Sequence, residues 1–206
     1  MRVSLFLRPL LFCVVLLALV GISRPLAPPD RDMPPEQELW YWVGGRQLDP
    51  VAFADMTEDV LEMMPIVTPH QDLINLLSET VATETSFGYA VRDKSGKTLG
   101  VYQILLSTAE FILDRLQDRH PRVLDIVLAY MEPEMDLQEN LMLNLHFQTA
   151  MAISYYWLRA GDALLTQTAS LEERARLYKQ KWNTSKGRAT VAKYIRDSKK
   201  YLFSGR

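Results

Sequence analysis

Residues 73–109 read LINLLSETVATETSFGYAVRDKSGKTLGVYQILLSTA and carry the clearest structural signal in this chain. Their first part places apolar side chains at the spacing of an amphipathic helix, at Leu73, Ile74, Leu77 and Val81. Glu84 comes three residues after Val81, so its carboxylate lies at the edge of the apolar face. Partial burial disfavours the charged form of a carboxylate and raises its pKa. Glu84 is therefore a candidate proton donor near neutral pH.

Glu79 belongs to the same predicted helix, and helical geometry turns it to the side opposite Glu84. The pattern therefore predicts that Glu79 is a solvated surface charge. Helical position alone also allows an ordinary interpretation of Glu84, as a carboxylate at the end of a helix. Position on this helix does not by itself assign either acid to catalysis.

The part of the stretch after Glu84 predicts a loop and a second helix. Residues 89–103 are the only place where a short β-hairpin fits, with its turn at residues 94–97. Ser107 and Glu110 have the spacing of a capping box, which predicts a helix that ends near Arg119.

Most of the remaining chain also has helical patterns, and the predicted fold class is mainly α. Candidate helices occupy residues 36–43, 55–64 and 137–159 and a segment after Ser170. Asp55 or Thr57 would cap the second of these, and Ser170 together with Glu173 would cap the last. No internal repeat or low-complexity tract is present in the sequence.

The length and the net charge limit the possible classes of protein. The chain has 206 residues and a formal net charge of −2, which predicts one domain and does not indicate a nucleic-acid binder. Charge is unevenly distributed, because residues 30–72 are acidic and residues 171–206 are basic. A solvated helical face is the ordinary explanation of the basic end, and attraction to an anionic polymer or a membrane surface is the functional one.

The N-terminus has the pattern of a targeting segment. In residues 1–22, Arg2 and Arg8 accompany an apolar run, and no clear cleavage site follows, so a signal anchor is favoured over a signal peptide. The positive charges would keep the N-terminal tail in the cytoplasm and place the rest outside the membrane. Cys13, the only cysteine, lies inside this run. Residues 23–36 are rich in proline and predict a linker, so residues 37–206 would form the folded domain.

The sequence contains no motif of several other common kinds of active site. The three histidines, His70, His120 and His146, are scattered and form no HExxH or Cys/His cluster, so no metal site is predicted. Glycine patterns of nucleotide-binding loops and the Gly-x-Ser-x-Gly nucleophile motif are absent. The sequence predicts no cofactor.

Three short motifs around Glu84 occur in a fixed order: Glu84-Thr85-Ser86-Phe87, Gly100-Val101-Tyr102-Gln103-Ile104 and Thr108-Ala109. This set resembles the signature of the lytic transglycosylases of the SLT, or goose-lysozyme-like, family, which cleave peptidoglycan. The resemblance extends more weakly to residues 140–144 and to the segment from Trp182-Asn183 to Gly187. In the family a Tyr stands where this chain has Trp182, so a hydroxyl is missing and Trp182 would have to stack.

The resemblance implies a lysozyme-like helical domain with Glu84 as the single catalytic acid and base. It implies cleavage of the bond between MurNAc and GlcNAc with formation of a 1,6-anhydroMurNAc end. The substrate contacts that it implies are made by Thr85, Phe87, Gly100, Tyr102, Gln103, Trp182 and Asn183. A simpler interpretation of Gln103 is that its amide satisfies the backbone of the loop.

The expected setting is the periplasm, with residues 5–22 anchored in the inner membrane or with secretion if the signal is cleaved. The expected partners are glycan strands, the inner membrane and an envelope-spanning secretion, conjugation or pilus complex, without nucleic acid. Two alternatives stay open. A hydrolytic lysozyme would need a second carboxylate, for which Asp93 is the nearby candidate although it suits a turn. A non-catalytic glycan-binding subunit would explain the Trp at position 182.

Overall fold

The computed structural model describes residues 47–66, 69–89, 97–161, 169–185 and 187–203. Within these ranges the chain is mainly helical, which confirms the predicted fold class at that level. The predicted targeting segment, the proline-rich linker, the candidate helix at residues 36–43 and Asp93 lie outside the described residues. No helix in the described ranges is both long enough and apolar enough to cross a bilayer.

Eight α-helices, one π-helix and one pair of short strands make up the described part of the chain. In chain order they are α1 (Pro50–Met63), α2 (His70–Thr85), β1 (Thr98–Leu99), β2 (Ile104–Leu105), α3 (Leu106–Arg119), α4 (Pro121–Ala129), α5 (Leu137–Leu143), α6 (Leu145–Ala160), α7 (Leu171–Leu177), π1 (Tyr178–Asn183) and α8 (Val191–Leu202). Helix α6 is the centre of the fold, since it contacts α1 to α5 and π1. Its side chains are buried on nearly all sides for most of its length.

Helix starts follow the local chemistry of the residues that precede them. The Asp49 carboxylate accepts a hydrogen bond from the Ala52 amide at 2.8 Å, so α1 begins before Asp55 and Thr57, and the predicted cap at those residues is wrong. The predicted cap by Ser170 and Glu173 is confirmed, since the two residues form a capping box at the start of α7. The box predicted at Ser107 is not formed, because α3 begins directly after β2 without a side-chain cap.

Asn144 divides the region that the sequence predicts as one long helix. It ends α5 and caps α6, and its side-chain oxygen accepts from the Phe147 amide at 3.0 Å. Its amide group donates to the Tyr130 carbonyl at 2.7 Å. Asparagine side chains compete with the helix for backbone groups, which explains the break. Asn144 is thus the asparagine that opens the core helix.

A short hairpin is present at residues 98–105, where strands β1 and β2 pair antiparallel with Thr98 opposite Leu105, so the chain turns at residues 100–103. The turn predicted at residues 94–97 lies almost entirely outside the described residues. Gly100 has φ +70°, and a Cβ there would lie 2.2 Å from the Gln148 side-chain oxygen. Gln148 accepts from the Val101 amide at 2.8 Å. Only glycine allows this close approach of the turn to α6.

Candidate active site

Glu84 lies in the last turn of α2 and is half-buried. The chain then turns sharply, because Ser86 and Phe87 both have positive φ, 55° and 60°, before Gly88. Left-handed conformations cost non-glycine residues about 1–2 kcal/mol each, and such strain concentrates at functional sites. The fold therefore holds the end of this helix, with its acid, in a conformation that local preferences alone would not select.

Tyr178, the first residue of π1, makes the main polar contact of the acid. Its hydroxyl donates to Glu84 Oε1 at 2.7 Å, across 94 positions of sequence. The indole N–H of Trp182 is near enough to the Glu84 carboxyl to lower its pKa. Both donors belong to the same π-helix, a rare element that occurs frequently at functional sites. The sequence alone gives no indication of this role for Tyr178, although Tyr178 stands four residues before Trp182.

Burial raises the pKa of Glu84 above the usual value for a glutamate, and this is the largest influence on it. The hydrogen bond from Tyr178, the charge of Lys193 and the donor group of Trp182 act in the opposite direction. Burial, followed by the charge of Glu84, also raises the pKa of Tyr178, so that its hydroxyl stays protonated and remains a donor. The site thus contains a carboxyl group with a raised pKa and a tyrosine hydroxyl that can stabilise its charged form.

Trp182 packs among three tyrosines. Its ring lies 5.0 Å from that of Tyr156 at an interplanar angle of 29°, and it meets Tyr155 edge to face at 5.2 Å. Tyr102 lies 6.0 Å away. Tyr102 and Tyr156 are fully buried, whereas Trp182 and Tyr155 keep part of their surfaces exposed. The two partly exposed rings offer an aromatic surface beside Glu84.

Thr85 and Phe87 do not present their side chains to solvent, since each is 1% exposed. The Thr85 hydroxyl donates to the Val101 carbonyl at 3.0 Å and accepts from the Gly88 amide at 3.0 Å. Phe87 packs edge to face on Phe53, with 5.5 Å between the rings. Because both side chains are enclosed in this way, the substrate contacts that the family resemblance implies for them are corrected to structural roles.

The side chains of Tyr102 and Gln103 likewise have hydrogen-bond partners within the protein. Tyr102 is fully buried, and its hydroxyl lies 3.2 Å from that of Thr149, which corrects its assignment as a sugar-stacking residue. Gln103 donates to the Gly100 carbonyl at 2.8 Å and accepts from the Thr98 hydroxyl at 2.6 Å. The Gln103 side chain therefore satisfies the loop, as its simpler interpretation predicts.

Asn183, the last residue of π1, lies between Tyr178 and the residues that follow the helix. Its side chain is near enough to Tyr178 to affect the pKa of that hydroxyl, and its Oδ1 accepts from Lys179 Nζ at 2.8 Å. Lys179 also donates to the Gly187 carbonyl at 2.9 Å. Among the residues assigned to the site from sequence, Trp182 and Asn183 are the two that the structure brings together with Glu84 while leaving part of their surface exposed.

Glu79 is not a surface charge, and the prediction that it is solvated is wrong. Its side chain is 1% exposed and forms two hydrogen bonds with Arg174, from Nη2 at 2.6 Å and from Nε at 2.8 Å. Tyr194 donates to the same carboxylate at 3.0 Å. Asp72 lies 3.9 Å from Arg174. Helices α7 and α8 cover the side of α2 that its own sequence presents as polar.

The histidines are placed apart from this site. His120 packs on Trp157 with 4.4 Å between the rings, and burial lowers the pKa of His146, which stacks near Tyr130. Within the described ranges no group of three or more His, Cys, Asp or Glu side chains is arranged to hold a metal ion.

Comparisons with protein-family models, with curated protein sequences and with solved structures returned no match to this chain.

Proposed function

We propose that this chain is a peptidoglycan lytic transglycosylase with a lysozyme-like helical domain and with Glu84 as its single general acid and base. One observation carries the proposal. The Glu84 carboxyl is half-buried, has a raised pKa, and receives the Tyr178 hydroxyl at 2.7 Å beside the partly exposed Trp182. An acid with a raised pKa next to an aromatic surface suits protonation of a glycosidic oxygen.

The proposed reaction uses the same carboxyl group twice. Glu84 first donates its proton to the oxygen between MurNAc and GlcNAc as the bond from that oxygen to the anomeric carbon breaks. The resulting carboxylate, stabilised by the donors of Tyr178 and Trp182, then removes the proton from the MurNAc 6-hydroxyl. That oxygen bonds to the anomeric carbon within the same sugar, which needs no water and no second carboxylate. The products are a GlcNAc end and a 1,6-anhydroMurNAc end.

The proposed setting follows from the targeting pattern at residues 1–22. The chain would act in the periplasm, anchored in the inner membrane, and would open the wall locally for a secretion, conjugation or pilus complex. A glycan strand would contact Trp182 and Asn183, whose partial exposure beside Glu84 supports this role.

The products of the reaction test the proposal directly. Purified protein is incubated with purified peptidoglycan, and the released muropeptides are identified by mass spectrometry. We expect 1,6-anhydroMurNAc ends. Reducing MurNAc ends would instead identify a hydrolytic lysozyme and direct attention to Asp93. Retention of the protein on the wall without any release would identify a glycan-binding subunit and overturn the proposed enzyme.

Replacing Tyr178 by Phe should move the pH dependence of cleavage to higher pH. The lost hydrogen bond favours the carboxylate of Glu84, so its pKa rises without it. A hydrogen bond to a charged group contributes about 1.5 kcal/mol, which corresponds to roughly one pH unit. Cleavage requires protonated Glu84, so the alkaline limb of the rate profile should shift upward by about that amount. Rates measured from pH 4 to 9 in wild type and variant give the comparison.

Tyr194→Phe is the matched control for this prediction. It removes the corresponding hydroxyl from Glu79, a different buried acid of α2. Tyr194→Phe should lower the free energy of unfolding. It should leave unchanged the pH midpoint of the alkaline limb of the cleavage rate. An unchanged midpoint in Tyr178→Phe would show that this hydroxyl does not govern the protonation of Glu84.

A further inference from the structure

Arg159, near the end of α6, lies beside the aromatic surface that flanks Glu84. Its guanidinium carbon is 5.3 Å from the centre of the Tyr155 ring, and its Nη1 donates to the Tyr155 hydroxyl at 2.9 Å. Tyr155 meets Trp182 at 5.2 Å between ring centres. Trp182 in turn is near enough to Glu84 to lower its pKa, so the rings of Tyr155 and Trp182 lie between the guanidinium and the acid.

Lys181 brings a second positive charge to the same place. It directly precedes Trp182 in π1, and its Nζ donates to the Arg159 carbonyl at 3.0 Å. The ion pairs in the described part of the chain are formed by Arg174, Lys193 and Arg196, so neither Arg159 nor Lys181 is neutralised by a carboxylate there. Arg159 is exposed and Lys181 is partly exposed. Two such cations beside an aromatic surface attract an anionic group.

We propose that Arg159 and Lys181 bind a carboxylate of the glycan strand next to the sugar that packs on Trp182 and Tyr155. This inference rests on the proposed function for the identity of the ligand. GlcNAc carries no carboxylate, so these cations distinguish MurNAc-containing strands from neutral ones. The carboxylate comes either from the lactyl group of a peptide-free MurNAc or from the acidic residues of a stem peptide. Guanidinium groups recognise both through paired hydrogen bonds.

The test measures binding separately from cleavage. The full chain carrying Glu84→Gln, which prevents turnover, is titrated by calorimetry with peptide-bearing glycan strands, with peptide-free strands and with the neutral oligosaccharide chitopentaose. Adding Arg159→Gln and Lys181→Gln should weaken binding of a carboxylate-bearing strand by about tenfold, the size expected for losing charge-assisted hydrogen bonds. Binding of chitopentaose should change by less than about twofold.

A matched control removes the same charges elsewhere. Arg122→Gln with Lys200→Gln takes one Arg and one Lys from exposed positions on α4 and α8, so it reproduces any loss due to net charge alone. Thermal unfolding of both double variants verifies that each remains folded.

Each outcome decides between specific alternatives. A loss confined to peptide-bearing strands assigns the stem peptide as the source of the carboxylate, and a loss confined to peptide-free strands assigns the lactyl group. Equal losses for chitopentaose and for the acidic strands, or equal losses in the matched control, would overturn the inference. If the wild type fails to cleave while its binding still depends on Arg159 and Lys181, the proposed catalysis fails and the carboxylate site stands.

Discussion

Replacing Glu84 by Gln is expected to reduce wall cleavage at least about a thousandfold, because general acid and base catalysis contributes factors of this order and here one group supplies both. Gln is nearly the same size, and it can still accept from the Tyr178 hydroxyl. The geometry should therefore persist while the transferable proton is lost. Release of soluble muropeptides over time is the measurement, with Glu110→Gln, an exposed acid on α3, as the control. Retained cleavage in Glu84→Gln would contradict the proposed mechanism.

The same variant should be at least as stable as the wild type at neutral pH. Glu84 in the folded chain has a pKa above the ordinary 4.5, so the folded state keeps a proton over a pH range in which the unfolded state has lost it. The free energy of unfolding of the wild type therefore falls as pH rises through that range. Gln does not titrate, so the advantage of the variant should grow as the pH rises above 4.5 through the raised pKa of Glu84. A constant difference would mean that Glu84 is not desolvated.

Replacing Arg174 by Met should lower the free energy of unfolding by about 3–5 kcal/mol, because it leaves a buried carboxylate without its counter-ion. Arg174 holds Glu79 through two hydrogen bonds, and both side chains are almost fully enclosed. Burial already raises the pKa of Glu79, and the hydrogen bond and charge of Arg174 oppose that rise. Urea denaturation at pH 7 measures the loss.

A double variant separates the ion pair from the packing. With Glu79→Gln added to Arg174→Met, no buried charge remains, and most of the lost stability should return. Without Arg174, the pKa of Glu79 rises further, so the single variant should lose more stability at pH 8 than at pH 5. A cost below about 1 kcal/mol for Arg174→Met at both values would show that this pair contributes no more than a surface ion pair does.

The position of Glu84 on its helix was predictable, whereas its partners were not. The apolar spacing of α2 locates the acid at the edge of a buried face, because this pattern depends on one helix only. Tyr178 contacts it from 94 positions away, and Arg174 reaches Glu79 from 95 positions away. The sequence of one helix does not indicate which other helices cover its polar side. For this reason the same pattern was informative for one glutamate and misleading for the other.

Local chemistry was predictable where side chain and backbone compete within a few residues. The capping box at Ser170 shows this, since its bonds lie within three residues. The break at Asn144 depends also on the Tyr130 carbonyl, 14 positions earlier, which helical periodicity does not include. The turn between β1 and β2 depends on the close approach of Gly100 to Gln148, a contact with the core helix that the local sequence does not indicate.

The π-helix at Tyr178–Asn183 has a geometric consequence for the whole site. In an α-helix each residue advances about 100° around the axis, and a wider turn changes the angular offset between the residues before and after it. Arg174 and Tyr178 can thus face α2, while Trp182 faces the tyrosines of α6. Shortening this turn by one residue would rotate the two halves relative to each other by about 100°. Residues 174–182 could then no longer contact both α2 and the tyrosines of α6 around Glu84.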